Sequence, residues 1–280
     1  MNQDLIQQVV LTLMLFSMMF AMGLRLTVQD LAVVLKDRKL MGLTLVVNFI
    51  VLPMVALLVV KLTSMDADVA TGFLLCAAAP GATMTTILSR NANANVPVAV
   101  ALLLVLVIVS ALVTPPLASL LFVWAGQSAE QMRAFNAVMS LLAIQVLPLV
   151  LGMIVRARAP VRAMALEPIA AKFATIVLVV VIVAMSIVNF GLVKAIGGGS
   201  TFYLAGFVAF STGVGWCFPG PKTTKAASAF ATGAQNIALA TLLAERYLSP
   251  QALMTVLIFG LLTYVVLLPL VTVFRRTLVA

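Results

Sequence analysis

The sequence predicts an all-α polytopic membrane protein, and its composition, the length of its apolar segments and an internal repeat are the observations that predict it. Hydrophobic residues fill 64% of the 280 positions, charged residues fill 9%, and the mean hydropathy is +1.21. Soluble domains are closer to roughly 45–50% apolar and about 25% charged. A soluble protein of this composition would expose apolar surface over its whole exterior, which excludes soluble enzymes and makes nucleic acid an unsuitable partner.

Nine segments are apolar over the roughly 20 residues that a helix needs to cross a bilayer. The connections between them are short, so we predict one transmembrane domain over residues 1–280 and no extramembrane domain. The predicted spans are 5–24, 41–60, 69–88, 96–124, 137–155, 173–192, 201–218, 226–244 and 251–274.

The distribution of basic residues predicts the orientation of the chain. With nine spans, the loops after odd-numbered spans and the C-terminus hold 13 of the 17 Lys and Arg residues, and the other loops hold 4. Because loops rich in Lys and Arg stay in the cytoplasm, we expect the N-terminus outside and the C-terminus inside a bacterial inner membrane. The net charge of +9 therefore indicates orientation and no nucleic-acid partner.

Two stretches of the sequence share a pattern in which a span is interrupted and two prolines follow at matched distances. In the first, prolines lie 16 and 35 residues after Gly81; in the second, they lie 17 and 36 residues after Gly233. The interrupted spans are the third and the eighth, which would cross the bilayer in opposite directions. An inverted pair of broken helices is typical of secondary transporters. The prolines are Pro97, Pro116, Pro250 and Pro269.

The interruptions carry the chemistry of the predicted site. Pro80 removes a backbone donor and Gly81 permits an unwound peptide, while Thr232, Gln235 and Asn236 place polar groups near Gly233. A broken helix has free N–H groups at one half-helix start, which attract anions, and free carbonyls at the other end, which attract cations. One Pro-Gly pair alone is typical of a packing kink, but two breaks at matched spacing predict a transport site.

Three motifs, in order, resemble those of the bile acid:sodium symporter family. Phe20–Leu26 with Asp30-Leu31 is similar to the early signature of that family, and Pro80–Thr83 falls where the family has its first broken helix. Ala231–Asn236 resembles the motif of its second broken helix. The resemblance covers essentially the whole chain, and the order and spacing of the motifs make it specific.

The resemblance implies a core and a panel that move against each other. Spans 41–60, 69–88, 96–124, 201–218, 226–244 and 251–274 would form the core, and spans 5–24, 137–155 and 173–192 would form the panel. Substrate would bind between them, beside the point where the two broken helices cross. The same mapping makes the substrate-binding residues Gly81, Ala82, Thr83 and Asn236, with Pro80, Gly81 and Gly233 as the helix breaks.

The resemblance also implies sodium ligands, and here the chain departs from the family. Ala231 stands where the family has its acidic sodium ligand, and Met84-Thr85 stands where relatives have Ser-Asn. Two hydroxyl ligands of the next span align with Ala99 and Leu103. Losing a carboxylate from a buried ion site weakens binding by several kcal/mol. The expected cofactor set is therefore none, or Na⁺ at a weakened site built from Asn48, Thr85, Thr86 and Gln235.

These observations favour a carrier that moves a small organic anion by alternating access, with lipid as its surroundings and no protein partner implied. Three hypotheses remain open: a sodium-coupled symporter, a sodium-independent facilitator or exchanger of the same fold, and a membrane receptor that does not transport. Proton coupling lacks a carrier, since the chain has no histidine and all eight acids map to loops or span ends. We find no cofactor fingerprint and no nucleophile beside a base, so we expect no enzymatic activity.

Overall fold

The structure is a computed structural model that describes residues 37–126, 147–188 and 190–279, together with eight positions between 13 and 24. In this part of the chain every regular element is helical, which confirms the all-α class. Residues 147–158 and the described positions before residue 25 are helical as well. The remaining elements are α1 (Arg38–Val46), a π-helical turn (Val47–Val51), α2 (Leu52–Leu62), α3 (Ala67–Ala77), α4 (Met84–Asn91), α5 (Val96–Trp124), α6 (Pro160–Val188), α7 (Phe190–Trp216), α8 (Lys222–Gly233), α9 (Ile237–Tyr247) and α10 (Pro250–Val279).

Helices long and apolar enough to cross a membrane are present. Among the described residues, Arg38–Leu62 and Pro250–Leu278 meet this condition alone, and α5 adds a third span if its two arms, which bend by 61°, are counted together. With the composition, these helices identify an integral membrane protein. Much of the predicted spans 5–24 and 137–155 lies outside the described residues, so the count of nine spans stays a prediction.

Several helices differ in extent from the predicted spans. The predicted spans 69–88 and 226–244 are each divided into two helices, α3 with α4 and α8 with α9, in agreement with the interruptions predicted there. The predicted span 173–192 was too short at its start, because α6 begins at Pro160, and a proline fits the first turn of a helix without losing a hydrogen bond. The end of that predicted span lies in α7. Within α7, Gly197 has φ +74°, a non-helical angle that kinks the helix.

A π-helical turn interrupts the first long span at Asn48. Pro53 has no N–H, and a proline ring clashes with the carbonyl four residues earlier; the chain widens here, and the N–H of Leu52 donates to the carbonyl of Val47. Such turns inside α-helices often occur at functional sites. The amide nitrogen of Asn48 donates to the carbonyl of Thr44 at 2.9 Å, which holds this buried side chain in place.

Three phenylalanines join α3, the first half of a divided span, to the long helices α7 and α10. Phe73 of α3 packs edge-on against Phe207 of α7 with ring centroids 5.1 Å apart, and Phe259 of α10 lies 6.3 Å from Phe73. All three side chains are buried. Aromatic pairs at these distances stabilise beyond the apolar area that they bury, so α3, α7 and α10 form one packed unit.

Two glycines allow a close helix contact outside that unit. A Cβ atom at Gly152 would lie against the Phe20 carbonyl and 2.8 Å from the Cα of Gly23, and a Cβ atom at Gly23 would meet the carbonyl of Leu149. Small residues let membrane helices approach through their backbones. The helical residues around Gly23 therefore pack directly on the helical segment 147–158. The sequence assigns both elements to the panel.

This contact predicts different outcomes for two Gly→Ala substitutions. Gly152→Ala places a methyl group against backbone atoms that cannot rotate away, and we expect it to lower the free energy of unfolding by about 1–3 kcal/mol. Gly42→Ala is the matched control, since a Cβ atom there meets nothing within 4 Å, and alanine is the better helix former. Thermal unfolding in detergent measures both; equal melting temperatures for the two variants would contradict the close contact.

Candidate substrate and ion site at the crossing of two broken helices

Two unwound segments, residues 78–83 and 234–236, meet and form what we call the crossing. The backbone N–H of Asn236 donates to the carbonyl of Ala79 at 2.7 Å, and an isolated antiparallel bridge pairs Pro80 with Gln235. The residues of the crossing are buried except Thr83, which is half-buried. The structure thus brings the two predicted breaks into direct contact, with their backbones running in opposite directions.

Gly81 has both a conformation and a packing environment that exclude a side chain. Its φ is +101°, and a Cβ atom there would lie 2.9 Å from Val107 Cγ2 and 3.0 Å from the Val107 nitrogen. L-residues rarely adopt this φ. The first break therefore depends on glycine at this position, and α5 packs directly behind it.

A hydroxyl group of α5 donates a hydrogen bond to a free carbonyl group of the first broken helix, a role that the sequence analysis did not assign. Thr114 Oγ1 donates to the carbonyl of Ala78 at 2.7 Å, and Ser110 Oγ lies 2.7 Å from Thr114 Oγ1. Both side chains are fully buried. A free carbonyl at this depth needs a partner, because no bulk water reaches it. The one signal in the sequence was a hydroxyl residue directly before Pro115-Pro116.

The two half-helices that start at the crossing differ in how their N-termini are capped. The side chain of Asn236 accepts from the backbone N–H of Leu239 at 3.1 Å and so caps α9. Thr83 precedes α4, and its side chain makes no capping hydrogen bond. The positive end of a helix attracts anions most strongly when its N–H groups have no other acceptor. The start of α4 therefore suits an anion better than the start of α9.

This geometry separates the four predicted substrate-binding residues. Thr83 is the accessible one, while Gly81 and Ala82 are buried and can present only their backbone. Asn236 is 5% exposed and its side-chain oxygen is occupied by the cap of α9. The cap uses one lone pair of this oxygen and neither of the Nδ2 hydrogens, so Asn236 caps α9 and keeps groups with which it can contact a solute.

Two of the predicted ion ligands carry oxygen atoms without a hydrogen-bond partner. Asn48 Oδ1 and Gln235 Oε1 are both buried and unpartnered among the described residues. The amide nitrogen of Gln235 approaches the carbonyl of Thr232 at 3.4 Å, which leaves the oxygen as its unused end. A buried polar atom without a partner is costly, so these two oxygens are candidates for a cation or an ordered water molecule.

The hydroxyl groups of the other two predicted ion ligands already donate to the protein. Thr85 Oγ1 donates to the carbonyl of Phe230, at 3.5 Å, and Thr86 Oγ1 donates to the carbonyl of Thr83 at 3.2 Å. Their lone pairs can still accept or coordinate. Ala231, in the position of the family's acidic ligand, is buried in α8 and offers no oxygen from its side chain.

Gly233, which the sequence predicts as the second break, directly precedes the second unwound segment. It is the last residue of α8, and the chain unwinds at Ala234, with φ −96° and ψ 117°. A Cβ atom at Gly233 would collide with Thr212 Oγ1. Glycine is thus needed here for close packing of α8 on α7 and for no unusual backbone angle.

A small apolar cluster connects the crossing with the segment 147–158. Leu103, Leu104 and Val107 of α5 pack with Leu149, in a cluster separate from the main hydrophobic core. Val107 is also the residue against which Gly81 packs. Leu149 therefore reaches the vicinity of the crossing through a single layer of apolar side chains.

Comparison with protein families gives one match, to the Sodium Bile acid symporter family over residues 12–196. The match covers more than half of the 280 residues. The chain belongs to this family of membrane transporters. The matched range includes the first broken helix and ends before α8. The second broken helix is therefore a structural observation that is independent of the family match. No curated protein matches the sequence.

The cap of α9 gives a testable separation of roles at Asn236. We expect Asn236→Ala to lower the free energy of unfolding by about 0.5–2 kcal/mol because the cap is lost. Asn236→Ser keeps an oxygen that can cap the helix and should unfold close to wild type. Melting temperatures of both variants in detergent test this, and equal losses of stability in both would show that the cap is not what Asn236 contributes.

Gly81 gives a second stability prediction with a matched control. Gly126 also has a positive φ, +83°, but a Cβ atom there meets nothing within 4 Å. Gly126→Ala therefore measures the backbone cost alone, whereas Gly81→Ala adds the clash with Val107, on the order of 1–3 kcal/mol. We expect Gly81→Ala to be clearly less stable than Gly126→Ala in thermal unfolding; similar stabilities would argue against the tight packing of the break on α5.

Proposed function

We propose that the protein is a secondary transporter that moves a small organic anion across the membrane by alternating access. The observation that carries this proposal is the contact between the two unwound segments, since backbone groups freed from helices inside a bilayer are tolerated where they are buried or line a cavity. Membership of a sodium bile acid symporter family supports transport as the activity of the chain.

The proposal includes the full architecture predicted from the sequence. Nine spans would form an inverted repeat, with a core that contains the crossing and a panel built from 5–24, 137–155 and 173–192. The antiparallel bridge at the crossing and the packing of Gly23 on Gly152 support this division. The small cluster around Leu149 would be the surface that shifts as core and panel rock, with the N-terminus outside and the C-terminus in the cytoplasm.

An anionic substrate is favoured by the sign of the electrostatic potential at the crossing. The acidic residues of the broken helices are Asp68 in the first turn of α3 and Glu245 in the last turn of α9, so neither lies at the crossing. The N-terminus of α4 contributes partial positive charge, and Thr83 is half-buried and can contact a solute. We propose that the anionic group of the substrate binds at this N-terminus, beside the backbone of Gly81 and Ala82, while Asn236 shapes the site.

Sodium would be a weakly held co-substrate. Asn48 Oδ1 and Gln235 Oε1 supply unpartnered oxygens, and the hydroxyl oxygens of Thr85 and Thr86 can add to them. Neutral oxygens suit a hard cation, but without a carboxylate the attraction is weaker by several kcal/mol. We therefore expect coupling that needs high sodium concentrations.

A sodium-independent facilitator or exchanger is the second candidate, and Ala231 is the observation that favours it. This position is buried in α8, and its methyl group cannot coordinate an ion. If the residual oxygens hold only water, the carrier would move its substrate down the substrate's own gradient. Concentrative uptake into vesicles with an inward sodium gradient, compared with choline, distinguishes the two candidates.

The anion site predicts opposite results for two nearly isosteric substitutions. Thr83→Asp places a negative charge at the start of α4, where it would occupy the positive helix end and repel an anion, and it should reduce organic-anion uptake at least tenfold. Thr83→Asn has the same shape and the same capacity to cap α4 without the charge, so it isolates the effect of the charge and should retain several-fold more uptake than Thr83→Asp. Asp and Asn are both good caps, so neither variant should unfold. Equal activities would contradict an anion at this position.

Restoring the family's carboxylate tests the sodium proposal. Ala231→Glu buries a negative charge that needs a cation beside it, so we expect the variant to be less stable than wild type in choline and to regain stability in sodium. Thermal unfolding in the two salts measures this. Ala227→Glu, one turn earlier in α8 and also buried, is the control that should show no sodium-specific recovery; an equal response in both variants would argue against an ion site at Ala231.

A further inference from the structure

A cavity of about 360 Å³ lies between α7 and the C-terminal half of α10. Its lining is almost entirely apolar and includes Gly213 and Trp216 of α7 and Pro269 of α10. Phe210 and Val273, beside this lining, are 48% and 50% exposed. In a membrane protein, such exposed apolar side chains face lipid, so the cavity is positioned to receive an acyl chain.

Aromatic rings close one end of the cavity. Trp216 stacks on Phe274 with ring centroids 4.5 Å apart and an interplanar angle of 16°, and Phe230 packs against Phe274 from α8. Both Trp216 and Phe274 line the cavity. The stacking fixes the end of α7 at the same level as the last turns of α10.

The charged side chains that come next after these aromatic residues in the sequence are basic. Arg275 and Arg276 come directly after Phe274 and are exposed, and α8 begins six residues after Trp216 with the exposed Lys222. The one acidic residue after residue 195 is Glu245, which precedes the start of α10 at Pro250, whereas Arg275 and Arg276 lie near its end. The aromatic end of the cavity therefore lies at the end of α10 that carries Arg275 and Arg276, on the side that the distribution of Lys and Arg predicts to be cytoplasmic.

We propose that this cavity is a binding site for an anionic phospholipid. One acyl chain would fill the space along Gly213 and Pro269, and the negatively charged headgroup would bind Arg275 and Arg276. Basic pockets between helices on the cytoplasmic side of membrane proteins are suited to such headgroups. The proposal requires only that the protein resides in a membrane; it does not depend on the nature of the transported solute.

The site has a structural link to the second broken helix. Thr212 lines the cavity, donates its hydroxyl to the carbonyl of Val208 at 2.6 Å and packs against Gly233, the last residue of α8. An acyl chain in the cavity would press α7 onto α8 directly behind the point where the chain unwinds. Bound lipid should therefore stabilise the helices that form the crossing.

The experiment is a titration of the purified full-length protein with phosphatidylglycerol or phosphatidylcholine, read by thermal unfolding and by native mass spectrometry. Two variants remove the site: Gly213→Leu fills the cavity, where a Cβ atom meets nothing within 4 Å, and Arg275→Gln with Arg276→Gln removes the charge. Gly206→Leu is the control on the same helix, also open to space. Arg38→Gln with Lys39→Gln is the control for charge, since both residues are exposed.

Phosphatidylglycerol should raise the melting temperature of the wild type, and phosphatidylcholine should raise it much less. The arginine variant should bind phosphatidylglycerol roughly 30-fold more weakly, since each basic residue near an anionic lipid surface contributes roughly fivefold to the affinity. Gly213→Leu should lose the effect, while Gly206→Leu and the charge control retain it. Equal effects of the two lipids on the wild type, or a full phosphatidylglycerol effect in both site variants, would overturn the proposal. The arginine variant alters only exposed side chains, so it decides the outcome even if Gly213→Leu does not fold.

Discussion

The structure depends on how backbone groups are satisfied where two helices unwind in the buried interior of the protein. A helix interrupted at this depth leaves carbonyl and N–H groups that water cannot reach, and each would be costly without a partner. At the crossing, the carbonyl of Ala79 is bonded by the N–H of Asn236, and that of Ala78 is bonded by Thr114. Each broken helix thus completes the other, and α5 completes the first.

This mutual dependence explains the packing around the crossing. Gly81 must be glycine because its backbone angle and the approach of Val107 leave no room for a side chain, and Gly233 must be small because Thr212 lies against it. The aromatic contacts of Phe73, Phe207 and Phe259 hold α3, α7 and α10 together. The result is a rigid frame around a short stretch of unwound backbone, which is what a binding site inside a bilayer requires.

The sequence predicted the features that depend on composition and on proline and glycine. The helical class, the limits of α5 and the interruption at Pro80-Gly81 agree with the structure, because long apolar runs and a Pro-Gly pair have strong local effects on the backbone. The second break begins directly after Gly233, where the sequence predicts it, although Gly233 itself is helical and packs against Thr212. Only tertiary contacts distinguish glycine as an unwound residue from glycine as a packing residue.

Other features of the site could not be read from the sequence for physical reasons. The hydrogen bond from Thr114 to Ala78 joins residues 36 positions apart, and no local pattern indicates that partner. The π-helical turn at Asn48 follows from the ring of Pro53, five residues later, and the sequence analysis treated that proline as part of an ordinary span. Asn236 caps α9 in addition to the substrate contact predicted for it, and this role depends on where the helix begins.

The contact between the two breaks is most directly tested by a disulfide between its paired residues. Directly opposite residues in an antiparallel pair have Cα atoms about 4.5–5.5 Å apart, a separation that a disulfide can bridge. In a background with Cys76→Ala and Cys217→Ala, the double variant Pro80→Cys, Gln235→Cys should form an intramolecular disulfide on oxidation in membranes. Mass spectrometry of proteolytic fragments detects it, and Gly42→Cys with Gln235→Cys is the control that should not cross-link. A folded protein in which the first pair also fails to cross-link would contradict the account.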